Sequence, residues 1–300
     1  MMALEYDLPL YRPPVEAWSL ILQPTIGCPH NKCTFCFAYK TKRFRIKRMD
    51  EIMVDIARAR KYYGPDVTHI FLADGNTIAM KTEQHLEMLA AIKNAFPHVS
   101  QIASYAGAKF VLLKEPQELR RIREAGLTKL YMGVESGDAV ILERVCKGIK
   151  PQDIQVACRL LKDAGFQLSL TIVQGLGGKE RWKEHALETA KLLNGIQPGE
   201  LRLHTLMLDP GAPLWEQVKK GEFMPCGPKE IFQEARLLVQ NLELANCRLY
   251  SHGSNYLLLQ GKLPDDKQAM LETIGSALTD EGKKALRAVG VLQEDSERAI

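Results

Sequence analysis

Strand-like and helix-like segments alternate along most of this chain of 300 residues. Six short apolar segments typical of buried strands lie between residues 18 and 206, and each is followed by at least one stretch with the apolar spacing of a helix. The predicted strands cover residues 18–24, 67–72, 99–104, 130–134, 167–173 and 201–206. Such alternation, in units of about 30 residues, is typical of parallel strands joined by right-handed crossovers. The sequence therefore predicts an α/β fold, either a partial (βα)6 TIM-like barrel or an open doubly wound sheet.

The remaining segments are predicted to flank this core. Residues 1–17 contain Pro13-Pro14 and little periodicity, so we expect an irregular N-terminal lead-in before a core of residues 18–220. Residues 221–300 form a C-terminal helical extension that also contains a short strand and a polar loop within residues 247–263. We expect this extension to cover the barrel.

Composition narrows the class of protein. The chain has no run of 18 apolar residues, and its first residues lack the basic and apolar pattern of a secretory signal, so we expect a soluble cytoplasmic protein. Seven cysteines in a reducing compartment indicate metal binding or catalysis rather than disulfides. Four of them are dispersed and are expected to be structural: Cys146, Cys158, Cys226 and Cys247.

Three cysteines lie within nine residues, directly after the first predicted strand. Cys28, Cys33 and Cys36 have the spacing C-x4-C-x2-C, in a loop that also contains glycine, proline and asparagine. Thiolates at this spacing in a short loop converge on one metal centre. The simpler interpretation, that some of them are ordinary buried cysteines, fits poorly with their clustering.

Three kinds of metal centre compete for this loop. A structural zinc ion needs a fourth ligand, which would be His30 or a distant cysteine. A plant-type [2Fe–2S] cluster uses the same cysteine run, but the next cysteine is Cys146, and the strand–helix framework is unlike a small electron carrier. The third is a [4Fe–4S] cluster held by three thiolates, which leaves one iron open to a substrate group.

Loops that contain glycine follow all six predicted strands. They cover residues 27–36, 73–76, 105–107, 135–137, 174–178 and 209–211. Glycine permits close approach of a ligand to the backbone, and both candidate folds bind their ligands at the C-terminal ends of the strands. The sequence therefore predicts a ligand site at that face.

The cysteine loop resembles that of the radical S-adenosylmethionine (radical SAM) enzymes. Their common motif, C-x3-C-x-aromatic-C, ends the first strand of a partial (βα)6 barrel. Phe35 falls at the aromatic position, which in the family packs near the adenine. This sequence departs from the motif by one extra residue between Cys28 and Cys33.

Later segments are similar to the same family, so that the resemblance covers about residues 18–220. Asp74-Gly75 takes the place of the Gly-Gly-Glu segment, which binds the methionine amino group through backbone carbonyls. Glu135 lies in a segment similar to Gly-Val-Glu-Ser-Gly and would face the cofactor, and Ile172 would lie near the adenine base. Residues 208–214 are similar to the Pro-Gly-Thr-Pro-Leu turn of the Elp3/MiaB-like branch.

This resemblance implies a mechanism. Cys28, Cys33 and Cys36 would hold three irons of a [4Fe–4S] cluster, and the methionine group of S-adenosylmethionine would chelate the fourth. An electron, from a donor such as flavodoxin or ferredoxin, would cleave the sulfonium and give a 5′-deoxyadenosyl radical that takes a hydrogen atom from the substrate. A barrel lumen would protect this radical from water.

Further polar residues are candidates for substrate contact or catalysis. Tyr105 follows the third predicted strand, and His204 lies on the sixth. The polar loop of the extension adds substrate candidates at Ser254, Asn255 and Tyr256, and catalytic candidates at Tyr250 and His252. For each of them the alternative is a structural role in a turn, a cap or the core.

Six cations within nine residues follow the third cysteine: Lys40, Lys42, Arg43, Arg45, Lys47 and Arg48. The simplest interpretation is a solvated face, and the alternatives are docking of an acidic reductant or binding of a phosphate-bearing substrate or RNA. Three functional hypotheses follow: a radical SAM enzyme, a non-enzymatic module that binds zinc or an iron–sulfur cluster, and an RNA-binding protein that uses residues 40–48. The sequence contains no second cysteine cluster, which argues against sulfur insertion.

Overall fold

The computed structural model describes residues 4–251 and 253–295, which form ten strands and eleven helices. The strands are β1 (Leu20–Leu22), β2 (Thr25–Ile26), β3 (Arg45–Ile46), β4 (His69–Leu72), β5 (Gln101–Ala106), β6 (Leu127–Glu135), β7 (Gln167–Gln174), β8 (Glu200–Thr205), β9 (Cys247–Ser251) and β10 (Gln260–Leu263). The helices are α1 (Met49–Tyr63), α2 (Thr82–Ala95), α3 (Ala108–Val111), α4 (Pro116–Ala125), α5 (Ala139–Arg144), α6 (Pro151–Asp163), α7 (Gly178–Ile196), α8 (Pro213–Lys219), α9 (Pro228–Asn241), α10 (Lys267–Ala277) and α11 (Asp280–Ala288).

One sheet contains eight of the described strands, in the order β1-β4-β5-β6-β7-β8-β9-β10. Strand β1 pairs in parallel with β4, and β4 with β5; β5–β6, β7–β8 and β8–β9 are also parallel. This sheet of alternating strands and helices confirms the predicted α/β fold. The seventh predicted strand is β9, and β10 extends the sheet by an antiparallel pairing that the sequence pattern did not predict.

The local sequence explains the regularity of these elements. The strand β6 is buried along most of its length, as expected for a parallel strand whose two faces are both covered. The helix α4 begins at Pro116, where a missing N–H is tolerated, and ends before Gly126, whose φ of 125° lies in a region that L-residues avoid. These two residues explain where α4 begins and ends.

The chain divides into two compact units, and the first comprises residues 4–31, 38–132 and 156–168. Phe71, Ala73, Ala103 and Tyr131 are fully buried at the centre of one of its core clusters. The Tyr131 hydroxyl donates a 2.5 Å hydrogen bond to the carboxylate of Glu16, which is buried in the N-terminal lead-in. The lead-in is therefore fastened to the core of the first unit.

The second unit comprises residues 32–37, 133–155, 169–251 and 253–295. One of its core clusters joins Ile141, Val145 and Leu176, with Phe35, Val173 and Leu206 packed against them. The cysteine loop is thus shared by both units, with Cys28 in the first and Cys33 and Cys36 in the second. In the part of the chain that the structure describes, no helix is both long and apolar enough to cross a bilayer.

Candidate active site

Cys28 lies in the first unit, two residues after β2. Gly27 has a φ of 73°, and the Cys28 sulfur accepts a 3.5 Å hydrogen bond from the backbone N–H of Asn31. The Asn31 side chain in turn donates to the Tyr39 carbonyl at 2.7 Å, and Lys40 Nζ donates to the Asn31 carbonyl at 2.8 Å. These bonds hold the cysteine loop against the chain that follows it.

Cys33 and Cys36 lie in the second unit, on either side of Thr34 and Phe35. The Thr34 N–H donates to the Val145 carbonyl at 2.9 Å, and the Thr34 carbonyl accepts from the Leu214 N–H at 2.8 Å. The Phe35 side chain packs against the cluster around Ile141. Backbone pairing and an aromatic anchor therefore fix this half of the loop.

The three thiols have the chemistry of metal ligands, because all three are free of disulfides and partly exposed. Among residues 4–251 and 253–295, no three His, Cys, Asp or Glu side chains already stand together as a metal site. The convergence of the three cysteines on one centre therefore stays a prediction.

The carboxylate of Asp74 is fully buried after β4 and accepts three hydrogen bonds at one oxygen. The donors to Oδ2 are the Gly27 N–H at 2.8 Å, Lys42 Nζ at 2.9 Å and Gln23 Nε2 at 3.2 Å. Burial raises the pKa of Asp74 above 3.8, although Lys42 and the Gly27 N–H oppose this shift. Asp74 thereby fixes the backbone directly before Cys28.

Two buried side chains in the loop after β4 have polar atoms without a hydrogen-bond partner. Asp74 Oδ1 has no hydrogen-bond partner, and neither does the amide oxygen or nitrogen of Asn76, which is 2% exposed. Gly75 lies between these two residues, and a Cβ on it would come within 3.0 Å of Cys28 Cα and Cβ. Buried polar atoms in native proteins nearly always have partners, so this set indicates a polar ligand beside the loop of Cys28.

Glu135 ends β6 in the second unit with a φ of 67°, which is unusual for a residue with a side chain. Its Oε1 accepts a 2.7 Å hydrogen bond from Lys147 Nζ, which sequence reasoning missed. Burial alone would lower the pKa of Lys147, but the charges of Glu135, Cys33 and Cys36 raise it. The Lys147 ammonium therefore lies within electrostatic range of both thiols and of Glu135.

Ile172 is buried on β7, where it pairs with Leu203 of β8. At the end of the same strand Gly175 has a φ of 78°, and its N–H donates to the carboxylate of Glu234 at 3.1–3.2 Å. Glu234 lies on α9, 59 residues away, and no local pattern indicated this contact.

The structure brings three of the substrate candidates to the end of β8. His204 Nδ1 lies 2.8 Å from the hydroxyl of Ser254, and Asn255 donates to the Leu203 carbonyl at 2.8 Å. Asn255 Oδ1 also accepts from the hydroxyl of Thr205 at 3.1 Å. His204, Ser254 and Asn255 therefore make hydrogen bonds within the protein that a structural role would explain.

The other candidates lie elsewhere. Tyr105, in the first unit, packs edge-on against Phe71 with ring centroids 5.1 Å apart. The Tyr256 hydroxyl donates to Asp295 at 2.6 Å, while the Tyr250 hydroxyl lies 3.4 Å from Glu200 at the beginning of β8. The catalytic candidate His252 falls outside the described residues.

A cavity of about 360 Å³ lies in the second unit beyond the ends of β7 and β8. Gly175, Thr205, Met207, Cys226 and Tyr256 are among the residues that line it. Burial raises the pKa of the Cys226 thiol to about 12, so this sulfur is protonated near neutral pH. The cavity is large enough for a small organic molecule.

The basic run is largely paired within the first unit. Lys42 binds Asp74 at 2.9 Å, Arg45 binds Glu51 at 3.2 Å, and Lys47 binds Asp55 and Arg48 binds Asp50, each at 2.8 Å. Lys42 and Lys47 are buried, so the interpretation of residues 40–48 as a solvated face is wrong for these two side chains.

Comparison with known proteins assigns a family to this arrangement. The model of the radical SAM superfamily matches residues 22–193, which is more than half of the chain. The heme chaperone HemW of Bacillus subtilis is 24% identical over 191 residues, a match that covers 63% of this chain and 48% of that protein. The chain thus spans about half the length of this relative.

Solved structures with a similar fold include a radical SAM enzyme and an archaeal Elp3 protein. Coproporphyrinogen III oxidase from Escherichia coli matches with a TM-score of 0.58 and 19% identity, over 74% of this chain and 52% of that one. The Elp3 protein of Methanocaldococcus infernus matches with a TM-score of 0.52 and 16% identity, over 91% of this chain and 64% of that one. The fold is accordingly the partial TIM-like barrel typical of radical SAM proteins. The chain belongs to the radical SAM superfamily, and this membership implies a [4Fe–4S] cluster, S-adenosylmethionine and a source of electrons.

Proposed function

We propose that this protein is a radical enzyme that cleaves S-adenosylmethionine reductively and removes a hydrogen atom from a small organic substrate. The observation that carries the proposal is the set of unpartnered buried atoms on Asp74 and Asn76, next to the glycine that packs against Cys28. In a radical SAM protein these atoms fit the ammonium and carboxylate of the methionine group, which offer matching donors and acceptors.

The cysteine loop is the site that we propose for the cluster. Cys28, Cys33 and Cys36 are not in disulfides, and the charges of Cys33 and Cys36 help to raise the pKa of Lys147, so a cation lies within electrostatic range of both sulfurs. When bound there, the cluster would pass an electron from an external reductant to the sulfonium of S-adenosylmethionine.

The chain's own residues would hold and orient the cofactor. Asp74 fixes the backbone before Cys28, and Gly75, which has no Cβ, packs closely against Cys28. Phe35, Glu135 and Ile172 are proposed to contact the adenosyl part, as the motif resemblance implies. The Lys147 ammonium donates a 2.7 Å hydrogen bond to Glu135 Oε1 and so holds this carboxylate in one orientation.

The cavity beyond β7 and β8 is the proposed substrate site. Its volume of about 360 Å³ is large enough for a small organic molecule. Tyr256 lines it, and His204, Ser254, Asn255 and Tyr105 are further proposed substrate contacts. Tyr250 and His252 remain weaker candidates for catalysis. Residues 18–220 would form the catalytic core, and residues 221–300 would close it.

Finer assignments rest on the chain's own motifs. The turn at residues 208–214 favours the Elp3/MiaB-like branch. We expect a cytoplasmic protein reduced by flavodoxin or ferredoxin, because the three thiols must stay reduced and an electron donor is required.

Anaerobic reconstitution with iron and sulfide tests this proposal directly. The reconstituted protein should bind about four irons per chain and, with dithionite and S-adenosylmethionine, release 5′-deoxyadenosine. Joint replacement of Cys28, Cys33 and Cys36 by Ala should abolish both, whereas Cys146→Ala, at an exposed thiol, should change neither. A tightly held zinc ion would favour the metal-binding module instead. RNA affinity that falls steeply with salt, without cleavage, would favour the RNA-binding alternative.

A further inference from the structure

Three residues of α7, spaced four apart, bind one short turn of the second unit. His185 and Thr189 lie on the same face of the helix in successive turns, whereas Arg181 stands at a kink in α7, with φ −131° and ψ 19°. The turn consists of residues 135–138, which connect β6 to α5 and include Glu135. The bonds run from Arg181 Nη2 to Asp138 Oδ2 (2.7 Å), from His185 Nε2 to the Glu135 carbonyl (3.1 Å) and from the Gly137 N–H to Thr189 Oγ1 (2.8 Å).

His185 contributes more than one bond to this arrangement. Its ring is 1% exposed, and Nδ1 lies 2.9 Å from Oε1 of Glu234, whose side chain is 0% exposed. One ring nitrogen therefore faces a carbonyl and the other a carboxylate, and both of these groups accept hydrogen bonds. A neutral imidazole has only one N–H, so full pairing requires an additional proton between His185 and Glu234. Burial opposes the charged ring, but Glu234 outweighs it and raises the pKa of His185.

Glu234 carries the network to a second loop. Its carboxylate accepts the N–H of Gly175 at the end of β7, and a Cβ on Gly175 would come within 2.8 Å of the Ile231 side chain. The His185–Glu234 pair thus joins the Glu135 turn, the Gly175 loop and α9. Both loops belong to segments that resemble cofactor-binding segments of the family.

A contribution to stability does not by itself explain why the buried pair is His185 and Glu234. Apolar residues of similar volume commonly serve a core as well as a buried ion pair does. The backbone of Glu135, with its φ of 67°, does need support, since residues with side chains adopt this conformation only where surrounding contacts impose it. The bond from His185 is made to the carbonyl of this residue.

We propose that His185, together with Glu234, is a positioning residue that holds the Glu135 turn and the Gly175 loop in the geometry that binds the adenosyl part of S-adenosylmethionine. This inference rests on the proposed function. It assigns a role to His185 and Glu234, which no motif comparison indicated. It also predicts that cofactor affinity depends on α9, the helix that carries Glu234 and lies outside the matched segment of residues 22–193.

Replacement of Glu234 by two residues of similar size tests this inference in the full chain. Glu234→Gln keeps an acceptor for the Gly175 N–H and a donor for Nδ1 of a neutral His185, so it preserves the geometry without the charge. Glu234→Leu fills the same space but removes both bonds. Gln240→Leu, at an exposed position of α9, is the matched control.

Two measurements are made on each variant: equilibrium dialysis of S-adenosylmethionine against the reconstituted protein, and hydrogen–deuterium exchange of the protein without cofactor. Glu234→Leu should raise the dissociation constant about tenfold and accelerate exchange in peptides that cover residues 134–138 and 174–178. Glu234→Gln and Gln240→Leu should stay near wild type in both.

The outcomes separate this inference from the proposed function. Unchanged exchange and affinity in Glu234→Leu, or a Gln variant no better than the Leu variant, would overturn the positioning role. A reconstituted wild type that binds no S-adenosylmethionine would overturn the proposed function, and exchange would then still report whether Glu234 fixes the two loops.

Discussion

Replacement of Lys42 by Met removes the only charged donor to the Asp74 carboxylate among the three that the structure describes. Both side chains are buried, with Lys42 3% and Asp74 0% exposed, and their charged atoms are 2.9 Å apart. After the change, Asp74 keeps only the Gly27 N–H and the Gln23 amide as donors to Oδ2. The variant therefore leaves a carboxylate inside the first unit without a compensating cation.

The expected loss of stability depends on whether the Asp74 carboxylate stays charged or takes up a proton. Loss of one partner from a buried ion pair destabilises a protein by about 3–5 kcal/mol. The carboxylate can also take up a proton, which at pH 7 costs about 4 kcal/mol for a group with an ordinary pKa of 3.8. Lys42→Met should therefore lower the free energy of unfolding by about 3–4 kcal/mol at pH 7. At pH 5 protonation costs only about 2 kcal/mol, so the loss should shrink.

Urea unfolding of the cofactor-free protein at pH 7 and pH 5 measures this loss. The double variant Lys42→Met/Asp74→Asn removes both buried charges and should recover much of the stability, since the other partner of Lys42, Asp7, is half exposed to solvent. Arg48→Met, which breaks an exposed pair with Asp50, should cause no measurable loss. A Lys42→Met loss below about 1 kcal/mol at pH 7, or one that does not shrink at pH 5, would refute the reasoning.

Two further predictions concern Gly75 and His85 of the first unit. Gly75→Ala places a Cβ within 3.0 Å of the Cys28 backbone and should lower iron uptake on reconstitution several-fold. The control is Gly199→Ala, whose Cβ meets no atom within 4 Å. Equal iron content in the two variants would count against the close packing of Gly75 on Cys28. Burial, with the charge of Lys114, lowers the pKa of His85 from 6.5 to about 4, so the unfolded chain binds this proton more tightly and stability should fall by about 3 kcal/mol between pH 6.5 and pH 4. His85→Leu should remove that part of the pH dependence, and parallel unfolding profiles of variant and wild type would contradict it.

Local patterns in the sequence predicted most of the fold because the elements carry their own signals. Proline and glycine bound α4, and the alternation of apolar strands and amphipathic helices indicated a parallel sheet. The strand β10 was missed because Gln260–Leu263 contains a glycine and two polar residues, and its pairing with β9 stabilises it from outside the segment.

The site was predictable only in part for the same physical reason. Strand-end loops with unusual residues directed attention to Asp74, Gly75 and Glu135, but the groups that hold them come from elsewhere in the chain. Lys42 is 32 residues from Asp74, and Glu234 is 59 residues from Gly175. Such contacts depend on tertiary packing, which no local periodicity encodes.

The basic run shows how far sequence proximity can mislead about charge. Three of its cations pair with carboxylates on α1, at Asp50, Glu51 and Asp55, and a fourth pairs with Asp74. Acidic residues near the beginning of a helix are favourable in themselves, because they face the positive end of the helix dipole. The run therefore complements the acidic start of α1, and much of its field is cancelled inside the first unit. An acidic reductant or an RNA attracted by electrostatics would meet much less positive charge on residues 40–48 than their sequence suggests.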